Sequence, residues 1–109
     1  MNVMAFVGKI HQSPRLRESV NGNKYAVMEV AVPRPFPNSD GHYETDYLTV
    51  TLWRGIAETT SAVASEGDLV AIKGRIQSHN YEASDGTQRT AYDLIAEHVH
   101  LLNQNQQSC

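Results

Sequence analysis

Cysteine is almost missing from this 109-residue chain: the one copy is the last residue, Cys109. That excludes an internal disulfide framework and any multi-cysteine zinc site. A terminal thiol with no fixed base beside it is also a poor nucleophile. Basic charge is scarce as well. Lys and Arg number 9 against 12 Asp and Glu, a formal net charge of -3. This argues against a polybasic nucleic-acid arm, though it leaves room for a local basic face. No apolar run approaches the ~18 residues of a membrane helix. Met1-Asn2-Val3-Met4-Ala5 has neither the basic n-region nor the long apolar h-region of a secretory signal. These absences lead us to expect a cytoplasmic protein without a membrane span. Internal repeats are absent, and the one low-complexity stretch is Asn103-Gln104-Asn105-Gln106-Gln107. The charged fraction of 19% is too low for a disordered polyelectrolyte, and 40% hydrophobic residues can fill one core. A chain of this length is therefore expected to form one domain.

Turn signals divide the chain. Pro14 and Asn21-Gly22 bracket one expected loop, Pro33, Pro35, Pro37 and Asp40-Gly41 a second, and Ser84-Asp85-Gly86 a third. Between them runs period-two alternation. Val3 to Ile10 is apolar on both faces and reads as a buried strand, with Gly8 a bulge or a point of close approach. In Tyr25 to Val32, Ala26, Met28, Val30 and Val32 share one face and Glu29 lies on the other. Glu44 to Arg54 places Leu48, Val50 and Leu52 opposite Tyr47, Thr49, Thr51 and Trp53. Gly55 to Glu66, with Ile56, Thr60 and Val63 at helical spacing, predicts a short helix with Gly67 as C-cap. Asp68 to Glu82 puts Val70, Ile72, Gly74 and Ile76 in one row and Ala71, Lys73, Arg75, Gln77, His79 and Tyr81 in the other. Gln88 to Leu102 is the last strand, with a switch of phase between Ala96 and Val99. The expected order is β-β-β-α-β-β, all-β, the order of a five-stranded OB-fold barrel with one short helix between the third and fourth strands.

No catalytic arrangement stands out, and no cofactor is implied. His98 and His100 share a strand face and could hold a metal, but a solvated strand face is the plainer reading of two imidazoles. The stronger signal is aromatics among cations. Tyr47 and Trp53 lie opposite a clean aliphatic row, and Tyr81 lies opposite another, in register with Lys73 and Arg75. Phe36 sits beside Arg34 in a proline-rich segment outside any core pattern. Flat rings stack on any base and nearby cations neutralise phosphate, which is what sequence-tolerant single-strand binding requires. One such aromatic would more simply cover a barrel face or an oligomer interface. Several on the same strands as cations favour binding.

At this point the residues resemble a family. Val7-Gly8-Lys9-Ile10, Ser13-Pro14-Arg15-Leu16-Arg17 and Asn21-Gly22 are similar to the opening of bacterial single-stranded DNA-binding proteins. Thr45-Asp46-Tyr47-Leu48-Thr49-Val50-Thr51-Leu52-Trp53-Arg54-Gly55-Ile56-Ala57-Glu58 resembles their third strand and the start of their helix. Glu66-Gly67-Asp68-Leu69-Val70-Ala71-Ile72-Lys73-Gly74-Arg75-Ile76 resembles the fourth strand, and Asp93-Leu94-Ile95-Ala96-Glu97-His98-Val99 the last. The resemblance runs from Asn2 to Leu102. It implies a homotetramer of OB-folds around which single-stranded DNA wraps in replication, recombination or repair, without enzymatic activity. It also implies base-stacking aromatics at four points, which Phe36, Tyr47, Trp53 and Tyr81 match, two or three of them differing in type from the commonest members. Lys73, Arg75, Lys9, Arg34 and Arg54 are the candidate phosphate contacts.

Residues 1–102 are thus expected to form the binding domain and 103–109 a short polar tail. Full-length cellular members carry a long tail with an acidic, apolar tip, whereas Gln107-Ser108-Cys109 has none. No acidic-tail-mediated partners are therefore expected, and the sequence suits a short paralogue, a plasmid or phage form, or a core fragment. A reading of another class is an OB-fold protein-interaction adaptor, similar to the primosome-assembly protein of the same superfamily. RNA stays open as a ligand, because stacking alone does not read the 2′-OH.

Overall fold

The computed structural model describes residues 1–102; the expected tail, 103–109, and Cys109 lie outside them. The chain forms β1 (Met4–Glu18), β2 (Lys24–Pro37), β3 (Tyr43–Trp53), α1 (Arg54–Val63), β4 (Leu69–Glu82) and β5 (Gln88–Leu101). The strands close into a barrel in the order β1-β2-β3-β5-β4. Closure is narrow: β3 and β5 run parallel and pair only through Val50 with Leu94 and Thr51 with Ile95. The other pairings are antiparallel. This is the OB-fold architecture, with the helix where the sequence places it.

The alternating rows do what their period demands. Ala26, Met28 and Val30 of β2, Val50 and Leu52 of β3, and Val70 and Ile72 of β4 turn inward and are buried. Met4 and Ile10 join them from β1, and Ala57 from α1. The phase switch in β5 is a bulge: Lys73 faces His98 and Gly74 faces Ala96, so Glu97 is the extra residue. Gly74 sits at this bulge because a Cβ there would run into the carbonyl oxygen of Ile95. Three of the expected turns are tight hairpin turns with Gly22, Gly41 and Gly86 at φ of 84°, 80° and 86°.

Several expectations need correction. Pro14 does not break the chain into a loop. It lies buried inside β1, at a stretch where the pairing with β2 shifts register between Gln12 and Arg15. A bulge tolerates a residue without an N–H. The prolines of β2 also stay in strand, through Pro37, with a register break between Pro33 and Pro37. Gly67 is not the C-cap. The helix ends at Val63, and extended Ala64 caps it, its N–H donating to the carbonyl of Thr60 at 2.9 Å. Gly67, at φ 89°, belongs to the turn into β4 and donates to the carbonyl of Ile10. Val63 and Ile76 are exposed, not core. Ala57 and Thr60 are the buried helix residues, and β4 has already left the barrel at Ile76.

The first strand is buried on one face only. Phe6 packs on the core, while Val3 and Val7 are 56% and 50% exposed, because a small barrel has room inside for one row. Gly8 is the point of close approach. An added Cβ would meet the carbonyl oxygen of Ala31 and come within 2.8 Å of Val30 Cγ1. Both neighbours are fixed by the β1–β2 ladder, so Gly8→Ala is expected to destabilise the fold by roughly 1–3 kcal/mol, the cost of overpacking. Urea denaturation should show a lower midpoint with an unchanged slope.

Candidate nucleic-acid interface

Strand register assembles one exposed face from β1, β2 and β3. Each inward residue leaves its neighbours pointing out, and the ladders align those neighbours in rows. Arg17 faces Tyr25, which faces Trp53. Arg15 faces Val27, which faces Thr51. Gln12 faces Glu29, which faces Thr49. Lys9 faces Ala31, which faces Tyr47. Neighbouring strands lie about 4.8 Å apart, and the six residue steps from Tyr47 to Trp53 span about 20 Å. The face is therefore a plate with an aromatic at each end of β3 and a cation two strands away in the same row.

The rings are partly free. Tyr47 is 56% and Trp53 39% exposed. Trp53 leans on Tyr25, with ring centroids 5.3 Å apart at 37°. The ring of His11 meets Tyr47 edge-on at 5.0 Å. Each ring is thus held on one side and open on the other, the arrangement a stacking platform needs.

Two hairpin arms carry further exposed rings. On the β2–β3 arm Phe36 is 78% exposed. Beside it Arg34 makes a two-pronged contact with Asp46, Nη2 and Nε donating at 2.9 and 3.2 Å, and Nη1 lies 3.4 Å from Glu44. The hydrogen bond from Arg34 holds the Asp46 carboxyl below the usual carboxylate range. On the β4–β5 arm Tyr81, exposed, stands opposite Arg89 and near the ring of His79.

The candidate cations therefore divide. Lys9 lies in the Tyr47 row. Arg34 and Arg75 are already engaged with acids, Arg75 with Glu97 at 2.8 Å, and Arg75 also donates to the Gln77 amide oxygen. Lys73 stands between Ala5 and His98 in the ladders, on the surface of β4, β5 and the first half of β1, not in the rows of Tyr47 and Trp53. Arg54 follows Trp53 with φ 53°, a left-handed conformation a side chain adopts at a cost. We expect Arg54→Gly to stabilise the fold by about 0.5–1 kcal/mol while weakening binding of a polyanion. Thermal unfolding and a titration on the same sample would show the two effects moving in opposite directions. A variant weaker in both would mean that Arg54 is not strained.

Sequence reading missed Arg15, Arg17 and Tyr25 as members of this face. Pro14 hid them, since it put the two arginines in a loop; the signal available was Asn21-Gly22, a hairpin turn that pairs whatever flanks it. It also missed the exposed Tyr43 and Tyr92 on the arms. Among the described residues no group of three or more His, Cys, Asp or Glu could hold a metal ion, and no helix is long and apolar enough to cross a membrane.

A closed five-stranded barrel presenting exposed aromatics and cations on its β1–β2–β3 face defines an OB-fold of the nucleic-acid-binding kind. Comparison with known proteins agrees with that class. The model of the single-strand binding protein family matches residues 1–102, and the chain belongs to that family. It is 35% identical over 97% of its length to single-stranded DNA-binding protein 3 of Listeria innocua, of which it spans 66%. It is 34% identical over 94% of its length to the single-stranded DNA-binding protein of Oceanobacillus iheyensis, of which it spans 63%. With single-stranded DNA-binding protein B of Bacillus subtilis the identity is 35% over 94% of this chain and 90% of the relative.

Proposed function

We propose that the protein binds single-stranded DNA without sequence preference, by stacking and phosphate contact, in the cytoplasm and in support of replication, recombination or repair. The carrying observation is the plate of rows in which Arg17, Tyr25 and Trp53, and Lys9, Ala31 and Tyr47, line up across three strands. Phe36 and Tyr81 extend the path onto the two arms. Family membership and the relatives named above support this ligand. The role is binding, with no chemistry on the strand, and residues 1–102 are the unit that carries it.

Trp53 is the sole tryptophan, so its fluorescence reports this face directly. Titration with an oligothymidine is expected to quench it saturably and with strong salt dependence. Absence of quenching and of any shift in anisotropy of a labelled oligothymidine would remove the proposal and favour the protein-interaction adaptor. An oligouridine of equal length, run in parallel, tells DNA preference from RNA.

The cations give a further expected result. Each neutralised phosphate of a single strand contributes about 0.7 to the slope of log affinity against log salt. Lys9→Ala and Arg17→Ala should each flatten the plot by roughly that much. Arg34→Ala and Arg75→Ala should flatten it less, because their charge is already shared with Asp46 and Glu44, and with Glu97. For Lys73→Ala a slope equal to wild type would assign that lysine to the other surface.

That other surface supports self-association. Val3, Ala5 and Val7 face outward beside Ala71, and the shallow groove there is lined by β1, β4 and β5 residues with none from α1. An apolar strand face left open in one copy is closed by another, and closed symmetry makes a dimer or a dimer of dimers the natural assembly. We take the homotetramer as the working state.

A further inference from the structure

Two histidines occupy matching surroundings at two separate places on the proposed DNA path. His11 Nε2 lies 3.6 Å from Glu29 Oε1 while its ring meets Tyr47. His79 Nδ1 lies 3.0 Å from Asp93 Oδ2 while its ring lies 6.2 Å from that of Tyr81. Each of these two exposed tyrosines thus has beside it an imidazole that pairs with a carboxylate. The first pair spans β1 and β2 beneath a β3 ring, and the second spans β4 and β5 on an arm, so one local sequence pattern does not produce both. We propose that His11 and His79 are proton-dependent contacts of the single-stranded DNA, which make binding tighten on acidification. This rests on the reading that Tyr47 and Tyr81 contact the strand.

The charge logic is simple. With both imidazoles neutral, Glu29 and Asp93 put two negative charges beside rings over which a polyanion must pass. Protonation of each imidazole neutralises its carboxylate and leaves the second ring N–H free to donate to a phosphate oxygen. Other charged or titratable groups near His11 are Lys9, two residues back on its strand, Tyr47 on β3, and Glu66 and Asp68 of the turn whose backbone bonds to Ile10. Those near His79 are Tyr81 and Arg75 in its own row, Arg75 being engaged by Glu97 at 2.8 Å, and, on β5, Arg89, which Asp85 engages at 3.7 Å. Of the cations named here, Arg75 and Arg89 are each shared with an acid, which leaves Lys9. The comparison is therefore made across pH 8 to 5.5, the range in which imidazole side chains in general change charge.

By linkage, a strand that binds the protonated form better must draw protons up when it binds. The sign follows directly: affinity is lowest above pH 8 and rises as pH falls towards 5.5. Exposed charge contacts of this kind change affinity by about two- to fivefold each. His42, His98 and His100 also gain charge, and five added protons turn the formal charge of -3 into +2. A general attraction must therefore be separated from a local one.

The test compares wild type with the double variant His11→Gln and His79→Gln. Labelled oligothymidine anisotropy is measured at pH 8 and pH 5.5 at fixed ionic strength. The readout is the ratio of the two affinities for each protein, so any uniform loss in the variant cancels. Calorimetry near pH 6.5 in buffers of different ionisation heat counts the protons taken up. Wild type is expected to bind about four- to twenty-five-fold tighter at pH 5.5 and to take up protons, with most of both effects lost in the variant. A wild-type ratio near one overturns the proposal, and so does a ratio that survives in the variant, which would assign the effect to His42, His98 and His100. If wild type binds no oligothymidine at either pH, the DNA reading itself fails, an outcome distinct from a pH-independent complex.

Discussion

Trp53→Ala is expected to weaken oligothymidine binding by about 1–3 kcal/mol, the worth of one stacked base, or roughly five- to 150-fold in Kd. The measurement is anisotropy of a labelled strand, since the variant has lost its only tryptophan. Trp53 closes the row that begins at Arg17 and passes through Tyr25, so its loss removes the platform at one end of β3. Tyr25 then loses its ring partner at 5.3 Å, and a modest fall in thermal midpoint accompanies the binding defect. Tyr81 gives the cleaner separation. It lies on the β4–β5 arm, where from Ile76 onward every β4 residue is exposed, and no buried core residue comes from this part of the chain. Tyr81→Ala should weaken binding by a similar amount while the midpoint stays put. Trp53→Phe, which keeps a flat ring, should recover most of the affinity. An unchanged Kd in both alanine variants would falsify the stacking role.

A charge on the outer face of β1 is expected to break the assembly. Sedimentation at micromolar concentration should show wild type as a tetramer, or at the least a dimer. Val3→Asp combined with Val7→Asp should give monomers. The physical reason is that each substitution would bury an unpaired carboxylate in an apolar contact, at a cost of several kcal/mol. Val3 and Val7 are exposed in a single chain, so folding of the monomer should tolerate the change, and circular dichroism checks that it does. The dissociated variant should lose wrapping of long strands more than binding of short ones, because one copy carries one plate and a long strand needs several. A wild-type chain that sediments as a monomer would remove the assembly and the wrapping together. Loss of folding in the double variant is separated from loss of contact by the milder Val7→Thr, which should weaken association without unfolding.

The sequence by itself determined the element order, the inward rows and the hairpin turns. These follow from local rules: Ala26, Met28 and Val30 alternate with Val27 and Glu29 whatever the strand pairs with, and Gly22, Gly41 and Gly86 supply positive φ where side chains resist it. Even the break of phase near Glu97 was legible, because a bulge shifts which residues are apolar. Tyr47, Trp53 and Tyr81 could be selected for the same reason, each being a large ring on the wrong side of an aliphatic row, and Phe36 because it lies outside any core pattern. Only the tertiary structure decided which of these rings share a surface and which cations stand with them. That depends on register, and register across β1 passes through shifts between Ile10 and Gln12 and between Gln12 and Arg15 that no local pattern announces. The shifts bring Arg15 and Arg17 opposite Val27 and Tyr25, and keep Pro14 in the strand. Pairing also decided that Arg34 meets Asp46 and Arg75 meets Glu97, twelve and twenty-two positions away along the chain. An exposed charge is read from one residue, but whether it is free is a property of two, and the fold alone chooses the second.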